Sequence, residues 1–227
     1  MISKIGESNV AARFQEHFSR KLMRHNGIEA PYSFANFQGI SDEKFADCFI
    51  STDARCTLIE FKELETEVSA EKKKPLRDDL CSLLPQESHW ENEQRAAAGH
   101  FIVWHDATQS DENIHSYPKK VCPLFDVHHE FSGTSYTEGT FIKGLIEGRV
   151  GLKIEELNAY VQLLSAIAEQ SHAATCPEFK AFLFTYDDSQ DDFKSTRFDD
   201  LCQLQELMKL AMWKLSNKPT GPKPGRF

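Results

Sequence analysis

The chain has 227 residues, of which 40% are apolar and 11% aromatic, with 17 phenylalanines and a formal net charge of −9. That apolar content can fill a sizeable core in one large domain, or in a core with an appendage, and excludes a mainly disordered chain. The acidic balance argues against a generic nucleic-acid coat, which needs clustered Lys and Arg to neutralise phosphates.

No stretch approaches the ~20 apolar residues of a spanning helix, so no membrane partner is expected. The first residues lack the apolar run of a signal peptide. Six cysteines, Cys48, Cys56, Cys81, Cys122, Cys176 and Cys202, are scattered without a Cys-x-x-Cys pair. They read as reduced thiols, several of them in the core, which argues against structural zinc and for a cytoplasmic location.

The first element is a helix over residues 8–26. Ser8 can cap it, Val10, Phe14, Phe18 and Leu22 recur every four residues, and Gly27 supplies a stop. Two β-prone runs follow Pro31, Phe45–Ile50 and Cys56–Lys62, joined by a short polar link, Ser51–Arg55, as a hairpin requires. Residues 63–87 are charged and broken by Pro75 and Pro85. Their run Lys72, Lys73, Lys74 and Arg77 is either a solvated surface or a DNA contact, and so is the basic tail with Lys209, Lys214, Lys218, Lys223 and Arg226.

Ser88 and Glu91 have capping-box spacing for a helix to Ala98, with Gly99 at its C-terminal stop. Phe101–Trp104 then reads as a buried strand, and this strand–helix–strand order implies a crossover and a partly parallel sheet. Residues 106–140 show no clear period and suit irregular structure or an edge strand. A helix at about 153–170, a strand at Phe179–Tyr186, an acidic loop at 187–200 and a helix at about 199–215 complete the ordered chain. The last helix carries Leu201, Leu204, Met208, Ala211 and Leu215 as a stripe for core packing or a dimer seam. The tail Asn217–Phe227, with three prolines and two glycines, is expected to be flexible.

The two β runs hold the chemistry. With Asp53-Ala54 at the hairpin tip, facing residues have numbers summing to 107. Asp47 then opposes Glu60, and Lys62 shares their side because strand side chains alternate. Two opposed carboxylates repel at this range, while Phe45, Phe49 and Leu58 make the same face apolar. A divalent ion between the carboxylates would resolve the conflict, and hard oxygen ligands suit Mg²⁺. Lys62 would orient or deprotonate a water, or stabilise charge on a phosphate. A surface ion pair on an exposed hairpin edge is the plainer alternative.

The order helix, strand with Asp, strand with Glu-x-Lys, helix, strand resembles the αβββαβ core of the PD-(D/E)XK nuclease superfamily. Ala46-Asp47 stands for its Pro-Asp motif, and Ile59-Glu60-Phe61-Lys62 for its second motif. The resemblance covers residues 8–106. It implies an α/β fold with a mixed central sheet flanked by helices. It also implies metal-ligand roles for Asp47 and Glu60, and a role for Lys62 at the attacking water or scissile phosphate. Many members add a helix-1 glutamate eleven residues before a glycine, a spacing that Glu16 and Gly27 reproduce; Glu16 as an exposed helix residue is the alternative. Several branches place a glutamine on the later helix, where Gln94 stands. The RecB-like branch expects Gln-x-x-x-Tyr, and Ala98 in the last position departs from it.

The expectation is therefore a Mg²⁺-dependent nuclease, with Mn²⁺ as a substitute, acting on nucleic acid and most readily DNA. Prokaryotic defence or a mobile element suits it, as does a homodimer or a partner protein. Its division would be a core at 1–106, a mainly helical extension at 107–216 packed on the core or separate, and a tail at 217–227. The rival is a non-catalytic acidic binding or scaffold protein on the same fold. His128-His129-Glu130 lacks His-Glu-x-x-His spacing, and Asp187, Asp188, Asp191 and Asp192 lack the Gly and closing Glu of a calcium loop. No Gly-x-x-x-x-Gly-Lys loop or Gly-x-Ser-x-Gly elbow is present.

Overall fold

A computed structural model describes residues 6–37, 45–105, 112–169, 178–187 and 189–217. Helix α1 (Glu7–Asn26) buries Val10, Phe14, Phe18 and Leu22 and stops at Gly27, whose φ of 85° suits a residue without a Cβ. Its N-cap is Gly6, with no side-chain cap, so Ser8 lies inside the helix.

Strands β1 (Ser33–Asn36), β2 (Cys48–Ser51) and β3 (Cys56–Lys62) form an antiparallel meander. The short β1 has no signal in the sequence. Pairing of β2 with β3 runs from Cys48 opposite Ile59 to Ser51 opposite Cys56, the register expected from a tip at Asp53-Ala54. Thr52 closes that tip: its amide donates to the Arg55 carbonyl at 2.8 Å, and its hydroxyl accepts from the amides of Ala54 and Arg55. Asp-Ala is not a favoured turn pair, and the Thr52 hydroxyl supplies the missing local bonds.

After β3 comes a 3₁₀ segment, Glu65–Lys73, then α2 (Pro75–Leu83) and α3 (Trp90–Gly99). These cross over to β4 (His100–His105), parallel to β3. The Ser88 capping box does not form: a 3₁₀ turn at Glu87–His89 precedes α3, and Glu91 pairs with Arg95 instead. Gly99 ends α3 for a packing reason rather than a left-handed one. A Cβ there would lie 2.3 Å from Cδ1 of Leu152.

The segment after 111 is more regular than its sequence suggests. Strands β5 (Glu112–Ser116) and β6 (Ser135–Thr137) complete a six-stranded mixed sheet in the order β1-β2-β3-β4-β5-β6. Between them lies the short α4 (Tyr117–Val121). Then follow α5 (Glu138–Ile146), α6 (Ile154–Glu169), a hairpin of β7 (Glu178–Asp187) and β8 (Asp192–Asp200), and α7 (Leu201–Ser216). Residues beyond 106 thus contribute two strands to the main sheet and a second, two-stranded sheet. The acidic stretch expected as a loop is largely β8. On α7, Leu201, Leu204 and Met208 are buried, whereas Ala211 and Leu215 are half-buried. The expected tail beyond Asn217 lies outside the described residues.

Apolar clusters cover both sheet faces. One gathers α1 and α5 on Cys48, Ile50, Ile59, Phe61, Phe101 and Val103; the other gathers α2, α3, α6 and α7 on Phe49, Leu58, Ile102 and Trp104. Cys81 and Cys122 form a disulfide that ties α2 to the turn after α4, and Cys202 is also disulfide-bonded. This corrects the expectation of reduced thiols: residues 41 apart in sequence are brought to a Cα separation of 5.1 Å, which no spacing in the chain announces. Cys48 and Cys56 are free thiols, both buried.

Candidate metal centre

Glu60 points from the middle of the sheet and is 0% exposed. The pairing of Cys48 with Ile59 brings Asp47 opposite it, one residue before β2 begins. Two bonds fix Asp47 there: its carbonyl accepts from the Phe37 amide at 2.7 Å, and its Oδ2 accepts from the Phe61 amide at 2.6 Å. The side chain thus takes the donor that a longer β2 would have taken. Glu7, at the start of α1, supplies a third carboxylate. One oxygen from each of Glu7, Asp47 and Glu60 lies within 4.8 Å of the other two.

Lys62 shares the face of Glu60, two residues along β3. Its Nζ lies 2.6 Å from Oε1 of Glu60, 3.1 Å from Oε1 of Glu71 and 3.7 Å from Oε1 of Glu7, with the side chain 7% exposed. Glu71 enters from the 3₁₀ segment, fully buried. Lys74, between that segment and α2, also contacts Oε1 of Glu60 and stands 3.5 Å from Glu71 and 4.0 Å from Asp47. Arg77 on α2 is buried 3.7 Å from Oε2 of Glu60 and 3.5 Å from Oε2 of Glu71. Tyr117 donates to Oε2 of Glu71 at 2.6 Å. Behind it, the His100 ring stacks on Tyr117 at 4.1 Å and is hydrogen-bonded through Nδ1 to the Tyr160 hydroxyl at 3.0 Å.

The electrostatics follow from burial and from who faces whom. Glu60 is pushed up to about 7, first by burial and then by the charges of Asp47 and Glu71, with Lys62 and Lys74 opposing. Glu71 is also penalised by burial, but Lys62, Lys74, the Tyr117 hydrogen bond and Arg77 outweigh that and hold it at about 2. Burial disfavours the Lys62 ammonium, yet Glu60, Glu71 and Asp47 together raise its pKa. The surrounding carboxylates therefore favour the charged form of Lys62, which can stabilise anionic oxygen. Burial, reinforced by the charges of Arg77 and Lys74 and opposed by Glu71, drives His100 well below its usual range.

Of the residues read from sequence, Asp47, Glu60 and Lys62 converge. Glu16 does not join them: it is exposed on α1 and pairs with Arg20 one turn on. Helix geometry gives the reason, since Glu16 stands nine residues from Glu7. That spacing is half a turn out of phase and ~13 Å along the axis. Gln94 is exposed on α3 beside Ala97, Ala98 and Arg149, on a different depression. His129 of the His-His-Glu run pairs with Glu93.

Sequence reasoning missed Glu7, Glu71 and the inward turn of Lys74 and Arg77. Lys72 and Lys73 do face solvent as a surface run would. Glu71, Lys74 and Arg77 are spaced by three, but Lys74 is the extended break between two helical segments, so helical periodicity does not predict that they share a face.

The donor set fits a hard divalent cation. Three carboxylates approach one point, and Oε2 of the fully buried Glu60 has no hydrogen-bond partner. No protein-family model matches the chain, and no curated protein or solved structure gives a match.

Proposed function

We propose that the protein is a Mg²⁺-dependent nuclease, Mn²⁺ substituting, that hydrolyses phosphodiester bonds in DNA, on a core resembling the PD-(D/E)XK superfamily. The observation that carries this reading is the convergence of Glu7, Asp47 and Glu60 within 4.8 Å, with Oε2 of Glu60 left without a hydrogen bond. The strand order adds support: a helix, an antiparallel meander and a crossover to a parallel fourth strand.

Asp47, Glu60 and Glu7 would hold the ion, which when bound supplies Lewis-acid polarisation of water and neutralises phosphate charge. Asp47 is pre-positioned by the Phe61 amide on its Oδ2, so little reorganisation is needed to present its Oδ1 to the ion. Lys62 donates toward the negatively charged oxygens of the phosphate as charge builds on them. Arg77 and Tyr117 hold Glu71, and Glu71 in turn holds Lys62. Nothing in the geometry assigns Glu16 or Gln94 to these tasks.

Homodimerisation or delivery of DNA by a partner protein remains part of the proposal, as does a role in prokaryotic defence. The cytoplasmic setting loses its main support, because it rested on reduced thiols and the Cys81–Cys122 bridge favours an oxidising compartment. Among the described residues, no helix is long and apolar enough to cross a membrane.

One observation favours a second reading. Lys62, Lys74 and Arg77 already surround Glu60 and Glu71, as they would in a purely structural ion network of a non-catalytic binding protein. Cleavage of supercoiled and linear DNA and of RNA, with Mg²⁺ or Mn²⁺, separates the two. Wild type should cut, and Asp47→Ala and Lys62→Ala should not. Cleavage that survives both substitutions, or no cleavage of any substrate, would refute the nuclease reading.

A further inference from the structure

We infer that Lys74 is a displaceable counter-ion: its ammonium occupies the place of the divalent cation and must leave when the cation binds. This rests on the metal-site reading above. Lys74 Nζ contacts Oε1 of Glu60 and faces Oδ1 of Asp47 at 4.0 Å, so it bridges two of the three carboxylates that converge. A divalent ion at that point and an ammonium in van der Waals range of it are mutually repelled.

Two features mark Lys74 rather than Lys62 as the group that moves. Lys62 is 7% exposed on a central strand, fixed between Glu60 and Glu71, whereas the Lys74 side chain is 27% exposed. The Lys74 backbone sits at the break between the 3₁₀ segment and α2, held by its amide to the Glu71 carbonyl at 3.0 Å. Its four-carbon stem can therefore swing the charge to solvent without moving either element.

Charge balance gives an independent argument. Glu7, Asp47, Glu60 and Glu71 are four carboxylates, and Lys62 and Arg77 neutralise two of them. The remaining formal charge matches one divalent ion if Lys74 withdraws. With Lys74 in place the same ion would leave a net positive charge beside the buried Glu60 and Glu71. Once withdrawn, Lys74 stands at the rim of the site, where an ammonium meets the phosphates of an incoming nucleic-acid strand.

The test is Mn²⁺ binding to the full chain by calorimetry, comparing wild type with Lys74→Gln and Lys74→Arg. Lys74→Gln should bind Mn²⁺ at least about tenfold more tightly, the effect of removing one competing charge. Lys74→Arg, which keeps the charge, should bind no more tightly than wild type. Equal or weaker binding by Lys74→Gln overturns the inference while leaving the metal site standing. Absence of Mn²⁺ binding and of any thermal shift in all three proteins removes the metal site itself, and the inference with it.

If Lys74→Gln fails to fold without metal, the wild type answers directly. In ¹⁵N-lysine-labelled protein the Lys74 ammonium signal, protected in EDTA, should be lost to solvent exchange on Mg²⁺ addition. Its persistence at saturating Mg²⁺ overturns the inference.

Discussion

Replacing Lys62 with methionine probes the site most directly, because it removes one buried charge and keeps the length of the side chain. Lys62 lies 2.6 Å from Glu60 and 3.1 Å from Glu71, and both carboxylates are fully buried. Removing one partner of a buried ion pair leaves a charge without compensation and costs about 3–5 kcal/mol. For a chain of this size that corresponds to a fall in Tm of about 6–20 °C, at about 2–4 °C per kcal/mol.

The loss should depend on pH. Glu60 already titrates at about 7, and without Lys62 it holds its proton to still higher pH. At pH 5.5 a protonated Glu60 scarcely needs the ammonium, so the penalty comes mainly from Glu71 and is smaller; it grows as pH rises through 7 toward 8. Adding Glu60→Gln to Lys62→Met should recover much of the loss, because the stranded carboxylate is then gone. Saturating Mn²⁺ should also restore stability, by about 2.7 kcal/mol at a hundred times its Kd. Urea melts in EDTA and in Mn²⁺ at the two pH values measure all of this. A loss below about 1 kcal/mol at pH 8, the level of an exposed pair, would refute the burial argument.

Three further outcomes are expected. Glu7→Ala should weaken Mn²⁺ binding on the order of tenfold to hundredfold, while Glu16→Ala leaves it unchanged; the opposite ranking by calorimetry would return Glu16 to the site. His100 is held neutral in the fold, so below pH ~6.5 the unfolded chain takes up a proton that the folded one refuses. Stability contributed by His100 is therefore complete above pH ~6.5 and falls by about 1.4 kcal/mol per pH unit below it, down to its folded pKa. The difference between wild type and His100→Gln across pH 4–8 isolates this slope, and parallel curves would contradict it. Opening the Cys81–Cys122 loop by Cys81→Ser/Cys122→Ser should cost about 4 kcal/mol from chain entropy over its separation of 41 residues. A Tm insensitive both to that double change and to reductant would count against the bridge.

Part of the site is local and could be read directly. Strand alternation and a two-residue tip fix which side chains of β2 and β3 share a face, so Asp47, Glu60 and Lys62 come together by register alone. The remaining groups arrive from elements whose approach is not local. Glu71 and Arg77 belong to a segment that folds back over the sheet, and Tyr117 and His100 reach it from the start of α4 and from β4. A short charged stretch with two prolines carries no period from which that fold-back follows.

The sequence by itself determined the buried face of α1, the hairpin register and the strand–crossover–strand order, because each depends on side-chain periodicity and turn chemistry within a few residues. Tertiary structure decided that Glu7 and not Glu16 meets the carboxylate pair, that Lys74 and Arg77 turn inward, and that Cys81 finds Cys122. Helical periodicity says which face of α1 packs, but only the docking of that helix on the sheet says which of its turns stands beside Asp47. The distances that make three carboxylates one centre are set by packing between elements far apart in the chain.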